Sequence, residues 1–484
     1  MALLSQTQAE DRLLVDFAHQ LPDASGVVNL SGPDIEKYVL PNSFGEPPIL
    51  MSTMVKRLDT AQEASLVYTL SQPILFNDYH SPQHEVRLWV HIDGPPTVAP
   101  GNEPFSGPEV QPAFINFDFL TENQQYTSES TFTVSRGWNE LKFALALAPT
   151  SEHVSPDANV HRRKKIFHYN GDIQNPEPIT KIRIRMQPNL GTETIGKIRF
   201  AECRLRPVDV CNVMIVFDDC WQGVDSIVKP YFVANNLSAS LAVIGKYFEG
   251  KLNRGSARNV DAVHARGYLV DDDIVALYNT RSQNNSFVFD VVNHSYQHIQ
   301  LTKFFDYSDV RLELAAVTDL LQRRGLTRDN CHKFVVYPGG ASNLNVFAAM
   351  DELGMSYGRT VGIDTDPGSS DTNFIRHPYY GFAYDTAAAE NGINGFDPQQ
   401  SIEQFKDWLD QGVVEGKPRF VYFHDISDSM KPLHNANNWN SISWFNAAMD
   451  YIRQLRDDGK IEVKTMAKWY NSLDGRQKMR GIGY

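Results

Sequence analysis

The chain has 484 residues, 42% of them apolar and 11% aromatic, with a formal net charge of −13. That length exceeds one typical hydrophobic core, so two domains are expected, and the apolar content excludes broad disorder. The acidic balance argues against a nucleic-acid partner, and no run approaches the roughly 18–20 apolar residues of a membrane span.

The N-terminus, MALLSQTQAEDRLLVDF, lacks the basic start, apolar centre and small-residue cleavage site of a secretory signal. A cytoplasmic location, or release by a route such as lysis, is the resulting expectation. Residues 1–26 read as an N-terminal segment and 27–208 as an all-β sandwich. The alternating runs ASLVYTL, EVRLWVHI, AFINFDFL, NELKFALAL, TKIRIRMQ and GKIRFAECRLR carry that reading, each bounded by Gly, Pro, Asn or Ser. In KIRIRM the isoleucines alternate with arginines, so one face packs and the other meets water. The Pro/Gly-rich stretch DGPPTVAPGNEPFSGPEVQP reads as a loop, and the basic cluster HRRKK as a solvated one.

From residue 209 to the end the pattern changes to short apolar strands alternating with helices, which predicts an α/β barrel or a doubly wound sheet. CNVMIVFDD is an apolar strand ending in two carboxylates; SDVRLELAAVTDLLQRRGL is an amphipathic helix stopping near Gly325. KFVVYPGG, RFVYFHDI and IEVKTM read as strands, NLNVFAAMDELGM and SWFNAAMDYIRQLRDDGK as helices. Cys203, Cys211, Cys220 and Cys331 are too few and too scattered for a disulfide scaffold or a cysteine zinc site, so buried thiols are expected.

Three fragments carry the chemistry. Asp218 and Asp219 end a strand, where α/β architectures place their active sites, and adjacent residues there point in different directions. A turn alone would also explain the pair. His294 and His298 in HSYQH stand four apart, which on a helix places both imidazoles on one face about 5–6 Å apart, a spacing suited to one divalent cation. Two unrelated surface histidines are the plainer alternative. His424 ends the strand RFVYFHDI, where a structural role is the alternative to an acid–base one.

The order FDD, HSYQH, YPGG, FHDI resembles the polysaccharide deacetylase family, also called the NodB-homology or carbohydrate esterase 4 fold, over roughly residues 210–475. The resemblance implies a distorted (β/α) barrel of NodB type, preceded here by the jelly-roll-like sandwich. It implies a metal-dependent hydrolase removing acetyl groups from an acetylated polysaccharide. Asp219, His294 and His298 would hold a divalent metal, Zn²⁺ first among candidates. Asp218 would be the general base, His424 the general acid, and the backbone N–H of Gly339 a donor to the oxyanion. Ser295 would support the histidines rather than attack.

Three positions depart from the family pattern. Cys220 stands where the family has Gly, which leaves a thiol near the metal. Val335 stands where it often has an Arg, with Arg359 and Arg376 as substitutes, and Gly339 replaces a Tyr while keeping the backbone donor. Trp221 could stack on a sugar or pack in the core; Asp425 could pair with a histidine or end its strand. The sandwich resembles, more weakly, carbohydrate-binding jelly rolls, and could bind sugar or mediate homo-oligomer contacts. With no export signal, a bacteriophage particle component acting on a host capsule fits this combination. The alternative is a glycan-binding adhesion protein whose barrel has lost activity.

Overall fold

The computed structural model describes residues 210–361 apart from 305, then 384–391, 397–427 apart from 417, and 439–473; before residue 210 it describes mainly strands between Arg12 and Pro207.

Two sheets, antiparallel except for one short pairing, form the first half. One runs Asp34–Val39, Leu50–Val55, Ile198–Pro207, His84–Ile92, Gly137–Ala144, with Arg12–Val15 also on Ile198–Pro207. The other includes Gln125–Ser128, Ala113–Leu120, Ile179–Pro188 and Ala64–Ile74 in that order. One apolar core draws Leu66, Tyr68, Ile115, Ile182 and Ile184 from the second sheet and Val86, Leu88, Leu141 and Phe200 from the first, which makes a sandwich. The alternation in KIRIRM decides the faces: Ile182, Ile184 and Met186 are buried, while Arg183 and Arg185 point to the other side. Residues expected to precede the sandwich join it, because Leu14, Val15 and Phe17 supply apolar side chains to the same core. The Pro/Gly-rich stretch and HRRKK lie outside the described residues.

The second half is built on an eight-stranded parallel sheet. Its strands are β1 (Cys211–Asp218), β2 (Ala239–Val243), β3 (Phe289–Asn293), β4 (Phe334–Val336), β5 (Tyr357–Arg359), β6 (Tyr384–Asp385), β7 (Arg419–Phe423) and β8 (Ile461–Lys464). The order is β5-β4-β3-β2-β1-β7-β6, with β8 beside the start of β1. This is the open, barrel-like arrangement expected of a distorted (β/α) barrel. Strands covered on both faces are mostly apolar; β2, β3, β4 and β7 are accordingly buried at every residue, the few polar ones included. Helices Tyr307–Arg323, Ser401–Glu415 and Ile442–Asp457 are amphipathic, and Val317, Leu320, Phe405, Phe445 and Met449 seal the sheet. The first of them stops where Gly325 takes a left-handed φ of 70°. All four cysteines are buried and unbridged. No helix among the described residues is long and apolar enough to cross a membrane.

Candidate active site

The carboxyl ends of β1, β3, β4, β5 and β7 carry the polar side chains singled out above. β1 ends at Asp218, and the chain leaves it through Asp219 (φ 68°) and Cys220 (φ 54°), both left-handed. That conformation costs a side-chain-bearing residue about 1–2 kcal/mol and needs outside support. The segment around Tyr268 supplies it. The Leu269 N–H donates to the Cys220 carbonyl at 2.9 Å, the Gln222 N–H donates to the Gly267 carbonyl at 2.7 Å, and Trp221 stacks on Tyr268 with ring centroids 4.1 Å apart. Trp221 is therefore packed, with one face taken by tyrosine. The Cys220 thiol turns toward the Ala242 carbonyl, 3.6 Å away, and burial pushes its pKa well up, aided by Asp219 and Asp218. Cys220 is not part of the donor cluster formed by Asp219, His294 and His298.

The sharp turn sends the two carboxylates apart. Asp218 accepts hydrogen bonds from Arg359 Nη2, at 2.7 Å to Oδ1 and 2.5 Å to Oδ2, and both residues are buried. Arg359 is the last residue of β5 and lies 4.7 Å above the Tyr422 ring. Val335 on β4, where an arginine was looked for, packs instead with Leu301, Val310 and Leu314. The guanidinium reaches Asp218 from the next strand over. Arg376 lies outside the described residues.

The histidine pair corrects one expectation: HSYQH is a loop following β3, not a helix. Ser295 (φ 61°) and His298 (φ 59°) are left-handed, which no helix accommodates. Side-chain oxygens capture the backbone instead: Asn293 Oδ1 accepts the Ser295 N–H at 2.9 Å, and Ser295 Oγ accepts the His298 N–H at 3.1 Å. Asn293 is anchored in turn by donating to the Leu314 carbonyl and Thr318 Oγ1. Glu313, fully buried, accepts the Gln297 N–H at 2.7 Å.

The loop still brings the imidazoles together, with centroids 4.8 Å apart. His294 Nδ1 lies 2.6 Å from the Val336 carbonyl, so it carries the proton and Nε2 presents a lone pair. Nε2 of His294 and of His298 stand 3.3 and 3.1 Å from Asp219 Oδ1. That oxygen is buried and accepts no hydrogen bond of good geometry among the described residues. Three donor atoms within 4.8 Å of one another, with the tautomer of one fixed by a carbonyl, suit a divalent cation. Burial opposes charge on Asp219, yet His298, His294 and His424 together hold its carboxyl well below the usual range. Burial brings His298 down to about 4, which keeps its ring neutral at pH 7. For His294 burial is outweighed by Asp219 and Asp218, and its pKa is raised.

His424 follows β7, near enough for its charge to weigh on Asp219 and His298, and its Nδ1 is buried without a hydrogen-bond partner among the described residues. The neighbouring Asp425 is buried and enters a short backbone pairing with Trp439. Gly339 (φ 61°) and Gly340 (φ 69°) turn the chain after β4; a Cβ on Gly340 would meet Val361 at 2.2 Å. This turn is strapped to β5 by the Tyr337 N–H, which donates to the Arg359 carbonyl at 3.0 Å.

Sequence reading missed Glu313 and the Val336 carbonyl. Glu313 had a signal, since it shares the apolar face of its helix with Val310, Leu314 and Val317. The carbonyl had none.

A family model described as polysaccharide deacetylase matches residues 206–358. No curated protein matches the chain. Among solved structures it is similar to the deacetylase PplD from Streptococcus pyogenes, at 18% identity over 30% of this chain and 54% of that one, with a TM-score of 0.23. It is similar also to a family 4 carbohydrate esterase from Streptomyces lividans (14% identity, 56% and 97% of the two chains, TM-score 0.30). A family 4 carbohydrate esterase from Bacillus anthracis gives 14% identity, 54% and 83% coverage and a TM-score of 0.28. The chain thus spans about half the length of the first of these and most of the other two.

Proposed function

We propose, from a chain whose residues 206–358 belong to the polysaccharide deacetylase family, that this protein is a metal-dependent hydrolase removing acetyl groups from a polysaccharide. The observation that carries the reading is the convergence of Asp219 Oδ1 and the two Nε2 atoms, beside a separately held Asp218. Asp219, His294 and His298 would hold the cation, with Zn²⁺ fitting the nitrogen-rich donor set. When bound, such a cation polarises an acyl carbonyl and acidifies a water molecule. Asp218, fixed by Arg359, takes the proton of the attacking water. His424 returns a proton to the departing nitrogen or oxygen. The Gly339 N–H donates to the oxyanion.

The test is acetate release from a panel of acetylated glycans, including chitin oligomers, peptidoglycan, acetylated xylan and bacterial capsules. Release is expected to stop with EDTA, return with Zn²⁺, and fall at least a hundredfold in His294→Ala. Release indifferent to chelation removes the metal from the mechanism. Glycan binding with no turnover after metal is supplied makes this a binding protein. A capsule as the best substrate of the panel supports the bacteriophage setting.

A further inference from the structure

Gly339 lies beneath a side chain that has no role in the site as described so far. The carboxamide of Gln300 lies across its Cα: a Cβ there would stand 2.7 Å from Gln300 Nε2, 3.1 Å from Cγ and 3.3 Å from Cδ. A residue of any size at 339 would evict it, so the glycine and the glutamine are coupled. Gln300 is two residues beyond His298, and Gly339 is three beyond Val336, whose carbonyl fixes the His294 ring. The carboxamide therefore joins the histidine loop to the turn after β4.

Gln300 is half-buried, and its carboxamide makes no hydrogen bond among the described residues. By contrast, the neighbouring polar groups Asn293, Ser295 and Gln297 are each committed to a backbone or side-chain partner. A carboxamide offers two donors and an acceptor without charge, the complement of a sugar hydroxyl or acetamido group. Neither of its polar atoms is among the buried ones that lack a partner, so the carboxamide is open to water and to a ligand alike.

We infer that Gln300 binds the acetylated sugar: its carboxamide, seated on Gly339, hydrogen-bonds the unit whose acetyl group is removed. The inference rests on the deacetylase reading and makes Gln300 a determinant of specificity for sugar over other acetyl carriers.

Gln300→Met keeps the length and apolar stem and deletes both hydrogen-bonding functions. The measurement is kcat/KM on N-acetylglucosamine oligomers and O-acetylated xylo-oligosaccharides, relative to para-nitrophenyl acetate, which has no sugar. The ratio of glycan to aryl acetate is expected to drop about tenfold, chiefly through KM. Gly339→Ala, by expelling Gln300, should lower the same ratio in the natural protein and add little to Gln300→Met. A ratio unchanged by Gln300→Met, or an equal loss on both substrates, overturns the inference. Calorimetric titration of the same oligosaccharides gives a second readout, with binding to Gln300→Met about tenfold weaker. If the natural protein releases no acetate from any substrate, the deacetylase reading fails, and the titration still decides the role of Gln300. Equal binding by both forms, or none by the natural protein, overturns it.

Discussion

Asp118 in the sandwich and Asp218 in the parallel sheet are both buried acids held by arginine, and they are held differently. Asp118 accepts three hydrogen bonds from Arg183 and Arg185, alternate residues of one strand, whose side chains remain 25% and 20% exposed. Asp218 is bound by one nitrogen of one arginine, fully buried and arriving from 141 positions away. The first arrangement takes up three of the roughly four acceptor sites of its carboxylate and ties down a sheet face. The second fixes the carboxylate in place and leaves lone pairs unclaimed, next to a second acid and two imidazoles. The richer donor set fits a structural acid, and the single remote anchor fits the proton-transfer role proposed for Asp218.

Removing the anchors separates the two cases. Arg359→Met strands a buried carboxylate, and breaking a buried pair of this kind costs about 3–5 kcal/mol. Arg183→Met leaves Arg185 on Asp118 and removes a part-exposed partner, so a loss within about 1 kcal/mol is expected. Urea denaturation of both variants checks the contrast, and equal losses would erase the distinction drawn between the acids. Acetate release should follow: strongly reduced in Arg359→Met, and held near the natural level in Arg183→Met.

Much of this was legible in the sequence, and unevenly so. Strand alternation is a two-residue pattern, so KIRIRM announced which side packs, and the apolar runs of β1 and β7 announced a covered parallel sheet. The identity of the paired residues Asp219, His294 and His298 was also readable. Their local geometry was not, because the spacing of four that suggests a helix is equally the span of a loop turned by Asn293 and Ser295. Those captures depend on left-handed residues that sequence does not reveal outside glycine. The strand-to-strand transfer of the guanidinium from 335 to 359 was readable only as a choice between Arg359 and Arg376. What decides it is register between neighbouring strands, set by tertiary packing around Val335 rather than by anything local.

A second buried acid of the parallel sheet, Asp290, sharpens the comparison in another way. Burial pushes its carboxyl up to about 6, against hydrogen bonds from Ser240, Thr465 and the Ala467 N–H. A raised carboxyl pKa means that the folded state binds its proton more tightly than the unfolded one. Stability is therefore fullest below about pH 4 in this contribution and is lost as pH rises through about 6. The rise corresponds to roughly 3 kcal/mol at full ionisation. Asp290→Asn should flatten the slope of unfolding free energy between pH 4 and 6. An identical slope in the variant would assign the pH dependence elsewhere.

The smallest effect is expected at Glu313, an acid that, like Asp118, is well supplied with donors, yet sits behind the histidine loop. It accepts the Gln297 N–H at 2.7 Å, the Gln297 amide at 3.0 Å and Arg254 Nη1 at 3.3 Å. Gln297 adjoins His298, so Glu313 sets the loop's conformation one step removed from the donor atoms. Glu313→Gln keeps the shape but replaces one accepting oxygen with an NH2 that cannot accept, so part of this set is lost while the helix stays intact. Supporting groups of this kind typically change metal affinity by about tenfold or more. Competition with a chromogenic zinc chelator should therefore show binding weakened by roughly that lower figure, with little change in melting temperature. Unaltered zinc affinity would mean that Asn293 and Ser295 alone hold the loop, and that an acid rich in donors is purely structural even this close to the site.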